Sequence, residues 1–244
     1  NLSKPNKASI FVENKPVKEE PIKIDTSIPE VKQESKRDIA STYEFANGVK
    51  PTYVMTKILE RGSSNGIQNE GLLELIGFLR DNYGELLNTL DLVSVSDKSQ
   101  MKGSGRWGEI DHAGKVIRIN FSAITPMSKG NEWGFPASTA DEFFALVFAH
   151  ELLHKVTITK EKSPELTALF NRFVSEYSGN STMTKYTKDI NEFLSGLFTD
   201  KNLQAKLNQV KVGEKSLFDK IWDAIKKMIS GDIEVKPGSL LERS

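Results

Sequence analysis

The sequence predicts an α+β fold that is mainly helical, with a small, mostly antiparallel sheet and one central buried helix. Apolar residues recur at spacings of three and four through most of residues 51–229, the pattern of helices that bury one face. Only between Leu92 and Phe121 does the period fall toward two, as strands require. An almost wholly apolar run from Phe143 onward carries His150-Glu151-Leu152-Leu153-His154, and a helix with so little polar surface belongs in the middle of a fold.

Taken in order, residues 1–45 hold Pro5, Pro16, Pro21 and Pro29 among interleaved lysines and glutamates, without an apolar period. Such a segment buries too little surface to offset its ordering entropy and reads as an extended linker or tail. A chain that opens at Asn1 reads as a processed product or a piece of a longer polypeptide. From Pro51, the residues Val54, Ile58 and Leu59 open a helical layer that continues through Leu72, Leu75, Ile76, Leu79, Leu86, Leu87 and Leu90, with a break or bend expected near Gly84. Leu92-Val93-Ser94-Val95 reads as a strand. Asp111-His112-Ala113-Gly114 reads as the turn of a hairpin between Trp107-Gly108-Glu109-Ile110 and Lys115-Val116-Ile117-Arg118-Ile119. Met127 to Ser138, around Trp133 and Phe135, reads as a loop that walls a cleft.

Thr139, with Glu142 three residues on, predicts a capping box for the motif helix, which is expected to run to about Lys155. Ser163-Pro164-Glu165 starts the next helix, with serine as cap and proline at the first helical position. Further helices are expected from around Lys188, over Lys201 to Val210, and over Ser216 to Ile229. Residues 46–230 are thus read as one domain and residues 231–244 as a C-terminal tail.

Lys and Arg together number 33, as do Asp and Glu, so no net field draws the chain to nucleic acid or to an anionic membrane. No apolar stretch is long enough for a membrane span, and the lysine-rich start lacks the core of a signal peptide, which predicts a soluble protein of open compartment. With no cysteine, disulfides are excluded, and a metal would be held by imidazole and carboxylate alone.

On a helix, His150 and His154 lie one turn apart on the same face, so both imidazoles reach a single ion while Glu151 points to a water beside it. This H-E-x-x-H spacing is that of zinc hydrolases. A hydrolytic zinc takes three protein ligands and keeps one position for water, so a third donor is needed. His112, in a predicted turn, reads as a solvated residue. Glu192 is the better candidate: it follows His154 by 38 positions, on a helix where Ile190, Phe193, Leu194 and Leu197 imply burial.

The motif helix, together with Asn191-Glu192-Phe193-Leu194-Ser195-Gly196-Leu197-Phe198, Leu203-Gln204-Ala205-Lys206-Leu207-Asn208 and Ser216-Leu217-Phe218-Asp219-Lys220-Ile221-Trp222, resembles the zincin-like metallopeptidase domains in polyvalent proteins of bacteriophages and mobile elements. The resemblance spans about Leu92 to Ile229. It implies a zincin-like fold and a gluzincin-type site, with Zn²⁺ on His150, His154 and Glu192 and with Glu151 as general base. It also implies a phage or phage-derived origin, within a larger polyprotein or virion or delivered into a host cell. Gluzincins often place a carboxylate four residues after the glutamate ligand, where this chain has Gly196. Asp189, one turn earlier, is the candidate to orient a ligand imidazole instead.

On this reading Glu151 takes a proton from the attacking water and returns it to the leaving amine of a peptide substrate. Tyr186 is the leading candidate to donate to the developing oxyanion, and His112 the second. The sheet edge near Val116 to Phe121 is expected to hold an extended peptide by strand addition. The alternatives are a catalytically silent module of a virion or mobile element, a secreted toxin-like effector protease, and a helical binding domain with an accidental motif. The last requires His150 and His154 to lie far from Glu192.

Overall fold

In the computed structural model, which describes residues 39–62, 66–103, 106–111, 113–127, 134 and 137–230, the chain forms a mixed, predominantly helical α+β fold. A short helix, α1 (Ile39–Thr42), leads into α2 (Pro51–Gly62) and α3 (Glu70–Leu87). Ile39, Tyr43 and Phe45 are core residues, so the packed region begins before residue 46, where the sequence reading placed its boundary. The rest of the expected N-terminal arm and the expected tail at 231–244 lie outside the described residues.

Pro51 opens α2 at a position where its missing N–H has no role, and Val54, Met55 and Ile58 face inward. The Asn69 side chain accepts from the Leu72 N–H and starts α3, whose Leu72, Leu75, Ile76, Leu79, Tyr83 and Leu87 form one buried stripe against α2 and the motif helix. The break expected at Gly84 does not occur. A glycine inside a helix costs about 1 kcal/mol relative to alanine, whereas Tyr83 and Leu87 beside it are both buried and hold the last turn in place.

Three strands follow: β1 (Asp91–Val95), β2 (Gly108–Ile110) and β3 (Val116–Asn120), in the spatial order β1-β3-β2. The expected hairpin is present, with Gly108 opposite Ile119 and Ile110 opposite Ile117. The sheet, however, is mixed rather than mostly antiparallel. Its longer ladder is the parallel pairing of β1 with β3, from Asp91–Val116 to Val95–Asn120. After β1 the chain crosses to the far side of β3 before forming the hairpin. An isolated bridge between Met127 and Ala137 closes the following loop. Trp133 and Phe135, read as a cleft wall, lie outside the described residues.

The central helix α4 (Ala140–Thr159) is buried almost throughout, and Phe144 packs against Tyr43, Phe45, Phe121 and Phe148. Each such fully buried aromatic ring is worth about 2 kcal/mol over its exposed state. The helix outruns its expected end at Lys155 because Val156 and Thr157 are still inside the core. Behind it stand α5 (Pro164–Tyr177), α6 (Thr184–Lys188), α7 (Ile190–Thr199) and α8 (Lys201–Gln209), then the two-residue strands β4 (Lys211–Val212) and β5 (Lys215–Ser216) and the closing α9 (Leu217–Ser230). Ser163 caps α5 as expected, accepting from the Leu166 N–H. The helix expected from around Lys188 is α7, which begins at Ile190; the short α6 before it, ending at Lys188, is not in the sequence reading.

Candidate metal centre

The site begins with how α4 is anchored. Thr139 Oγ1 accepts from the Glu142 N–H at 3.0 Å. The Glu142 carboxylate does not return to the Thr139 backbone as a capping box requires. It accepts instead from the Ser138 N–H at 2.8 Å and from the Asn69 N–H at 3.1 Å, joining the starts of α3 and α4. Two turns further on, the helix carries His150, Glu151 and His154 into the interior, with only 4–6 % of each exposed. Three polar side chains buried in an apolar helix need partners.

The second half of the site comes from α7, which lies along α4. Asp189 Oδ1 accepts from the Asn191 N–H at 2.7 Å and, at 3.4 Å, from the Glu192 N–H, so Glu192 sits in the first turn of α7 and reaches back to α4. Its carboxylate oxygens lie 3.8 Å from His150 Nε2 and 3.4 Å from His154 Nε2. The two imidazole rings meet edge to face with centroids 4.8 Å apart. The separation that an accidental motif would leave is not found.

One ligand atom from each of His150, His154 and Glu192 lies within 4.8 Å of the others, so this group can hold a metal ion. Donors at tetrahedral corners about 2.0–2.1 Å from an ion stand about 3.3 Å apart, and the imidazole-to-carboxylate separations need only small contractions to meet that spacing. The donor set, two imidazoles and a carboxylate, suits a borderline divalent cation.

The protonation states agree with that use. Burial opposes the charged form of Glu192, yet hydrogen bonding from His150 and the charges of His154 and His150, present only while those rings carry the protons that a metal would displace, hold its carboxyl down to about 2. Burial, and then the neighbouring His150, lower His154 to about 4, leaving it neutral with a lone pair available. Burial also pushes the Glu151 carboxyl well above the ordinary carboxylate range, reinforced by the charges of Glu192 and Glu109 and opposed by the Ile110 N–H.

Thr199 orients the first histidine. Its hydroxyl donates to the Ser195 carbonyl at 2.9 Å, and its oxygen lies 2.7 Å from His150 Nδ1. A hydroxyl has one hydrogen, so with that hydrogen on Ser195 the oxygen accepts from Nδ1–H. Nε2, facing Glu192, then carries the lone pair. Asp189, expected in this role, is engaged as the cap of α7. Thr199 lies 49 positions from His150, and a hydroxyl at that distance carries no sequence signal.

Tyr186 is not in the site. It is fully buried, and its hydroxyl donates to Asp200, whose other oxygen caps α8 through the N–H groups of Asn202 and Leu203. The ring lies against Gly196, where an added Cβ would collide with Cε1. Tyrosine at 186 therefore leaves no room for a side chain at 196, a carboxylate included. His112 lies outside the described residues.

A cleft of about 790 Å³ opens over these groups, walled by His150, Glu151, His154 and Ile158 of α4, by Gly108 to Asp111, and by Lys185, Asp189, Asn191 and Glu192. The strand bordering it is β2. The expected edge at Val116 to Phe121 is instead the middle of the sheet, since β3 pairs on both sides. Trp107, Glu109 and Asp111 pair with β3, so Gly108 and Ile110 turn their backbone polar groups away from it. Gly108 is also the point of closest approach to α4: an added Cβ would lie 2.7 Å from Val147 Cγ1 and 2.9 Å from Glu151 Oε1.

No family model, no curated protein and no solved structure matches the chain. Among the described residues no helix is long and apolar enough to cross a membrane.

Proposed function

We propose that this chain is a zinc-dependent, gluzincin-like peptidase with a zincin-like fold, in which His150, His154 and Glu192 hold the ion and Glu151 is the general base. The observation that carries this reading is the convergence of three donor atoms beside a buried carboxyl group, under the edge of a sheet. When bound, zinc polarises a carbonyl and brings the pKa of water toward neutrality.

The chain's own residues supply the rest. Glu151 takes a proton from the attacking water on its carboxylate and passes it to the amine as the peptide C–N bond breaks. Thr199 keeps His150 in the tautomer that offers Nε2. The outward-facing backbone of Gly108 and the carbonyl of Ile110, whose N–H is directed at Glu151, provide a strand edge for an extended peptide, which fits unfolded chains without reading a sequence. The resemblance to polyvalent-protein domains adds a phage or mobile-element origin to the proposal, with action in the virion or the invaded cell.

The test is direct. Protein prepared with zinc present should retain one equivalent of the metal and cleave an unfolded protein substrate, and chelation should abolish cleavage. Absence of bound zinc after such preparation would remove the reading.

A further inference from the structure

The cleft is electrically lopsided along its length. Gly108 lies against Val147 and Glu151, and Gly114 lies against Lys155, so β2 runs in the same direction as α4. The end of the cleft upstream of Gly108 is lined by Lys102 and Arg106. Both side chains are exposed, and among the described residues neither meets a carboxylate. The Arg106 guanidinium lies over the Trp107 ring, 5.3 Å from its centroid, which holds it beside the strand edge.

The acid at this end, Glu109, is already committed. Its two oxygens accept from the N–H groups of Lys102 and Gly103 at 2.7 and 2.6 Å, and Arg118 lies 3.4 Å away. These bonds also fix the Lys102–Gly103 segment to β2. Among the described residues, two cations thus stand without a counter-charge at one end of the cleft.

We propose that Lys102 and Arg106 make this enzyme prefer peptides with an acidic group on the C-terminal side of the cleaved bond. The inference rests on the peptidase reading. The direction follows from pairing: a peptide added antiparallel to β2, the more stable arrangement, runs against α4. Its C-terminal part then passes Gly108 toward Arg106. An aspartate or glutamate side chain there, or the terminal carboxylate, meets the two cations.

The test is to digest a mixed peptide library with the zinc-loaded full chain and identify the residues flanking each cut by mass spectrometry. Wild type should enrich Asp and Glu after the cut. The double variant Lys102→Ala/Arg106→Ala should lose that enrichment, with kcat/KM for an acidic peptide falling roughly five-fold or more relative to a neutral one, as expected for losing surface charge pairs. Both substitutions are at exposed positions, so an unchanged melting temperature should accompany the loss. Cleavage without acidic enrichment, enrichment before the cut, or enrichment that survives the double variant would overturn this inference and leave the peptidase reading standing. No cleavage by the wild type would overturn both.

Discussion

His150 Nδ1 and Thr199 Oγ1 lie 2.7 Å apart, and the same hydroxyl donates to the Ser195 carbonyl, so a residue at the last turn of α7 sets the tautomer of a histidine on α4. Replacing Thr199 with Val keeps the shape and removes the acceptor. Zinc affinity, measured by competition with a chromophoric chelator, should fall about 10–100-fold, the usual effect of losing such a partner. Thr199→Ser should restore it. Equal affinity in the valine variant and the wild type would show that the hydroxyl does not orient the imidazole.

Glu151 and His150 should separate chemistry from metal retention. Glu151→Gln removes the proton acceptor and leaves the donor triplet intact, so peptide hydrolysis should drop at least about 100-fold while bound zinc persists. His150→Ala should lose both. Comparable cleavage by wild type and Glu151→Gln would exclude the assigned base.

Gly108→Ala tests how closely the sheet edge approaches the site. The new methyl group would stand 2.7 Å from Val147 Cγ1 and 2.9 Å from Glu151 Oε1, distances that force the strand or the carboxylate to move. A loss of about 1–3 kcal/mol in stability is expected from overpacking, and kcat should fall with it. Unchanged stability and turnover would mean that β2 yields freely.

Tyr186→Phe should behave as a structural change. It deprives one oxygen of the buried Asp200 carboxylate of the tyrosine hydroxyl, costing about 1–2 kcal/mol in unfolding free energy, while kcat per folded molecule stays at the wild-type value. A large fall in kcat without loss of stability would return Tyr186 to the chemistry.

Acid should weaken the metal-free fold in a defined window. His154 is held at about 4 in the fold and has its ordinary value near 6.5 when unfolded, so as pH falls from 6.5 toward 4 the unfolded chain binds a proton that the fold refuses. Glu192, held at about 2, adds to the loss as pH falls below its ordinary value of 4.5. The melting temperature of the metal-free chain should decline over the upper window, and less steeply in His154→Ala. Identical slopes in the two proteins would contradict the assignment.

The helical layer was legible because its signals are local. Thr139 and Ser163 sit beside the turns they cap, and the three-and-four spacing of Leu72, Leu75, Ile76 and Leu79 directly encodes a buried stripe. The pairing of β1 with β3 was not, because strand order depends on where the chain crosses and leaves no period in Leu92 to Val95. His150 and His154 carry their spacing within one helix, and Glu192 stood out as an acid among buried neighbours. Thr199 and Gly108 carry no such local signal, because a threonine at a helix end and a glycine in a strand are common, and their meaning lies in what approaches them from other elements.

The anchoring of α4 has a mechanical consequence. Glu142 fastens its first turn to Asn69 and Ser138, and the ammonium of Lys155 fastens a later turn to the Gly114 carbonyl at 2.6 Å. A beam held at both ends does not swing when a guest arrives. On the proposed peptidase reading, whatever adjustment admits a peptide therefore falls to the opposite bank, where two short helices meet at Asp189 and where Glu192 is the most exposed of the three donors.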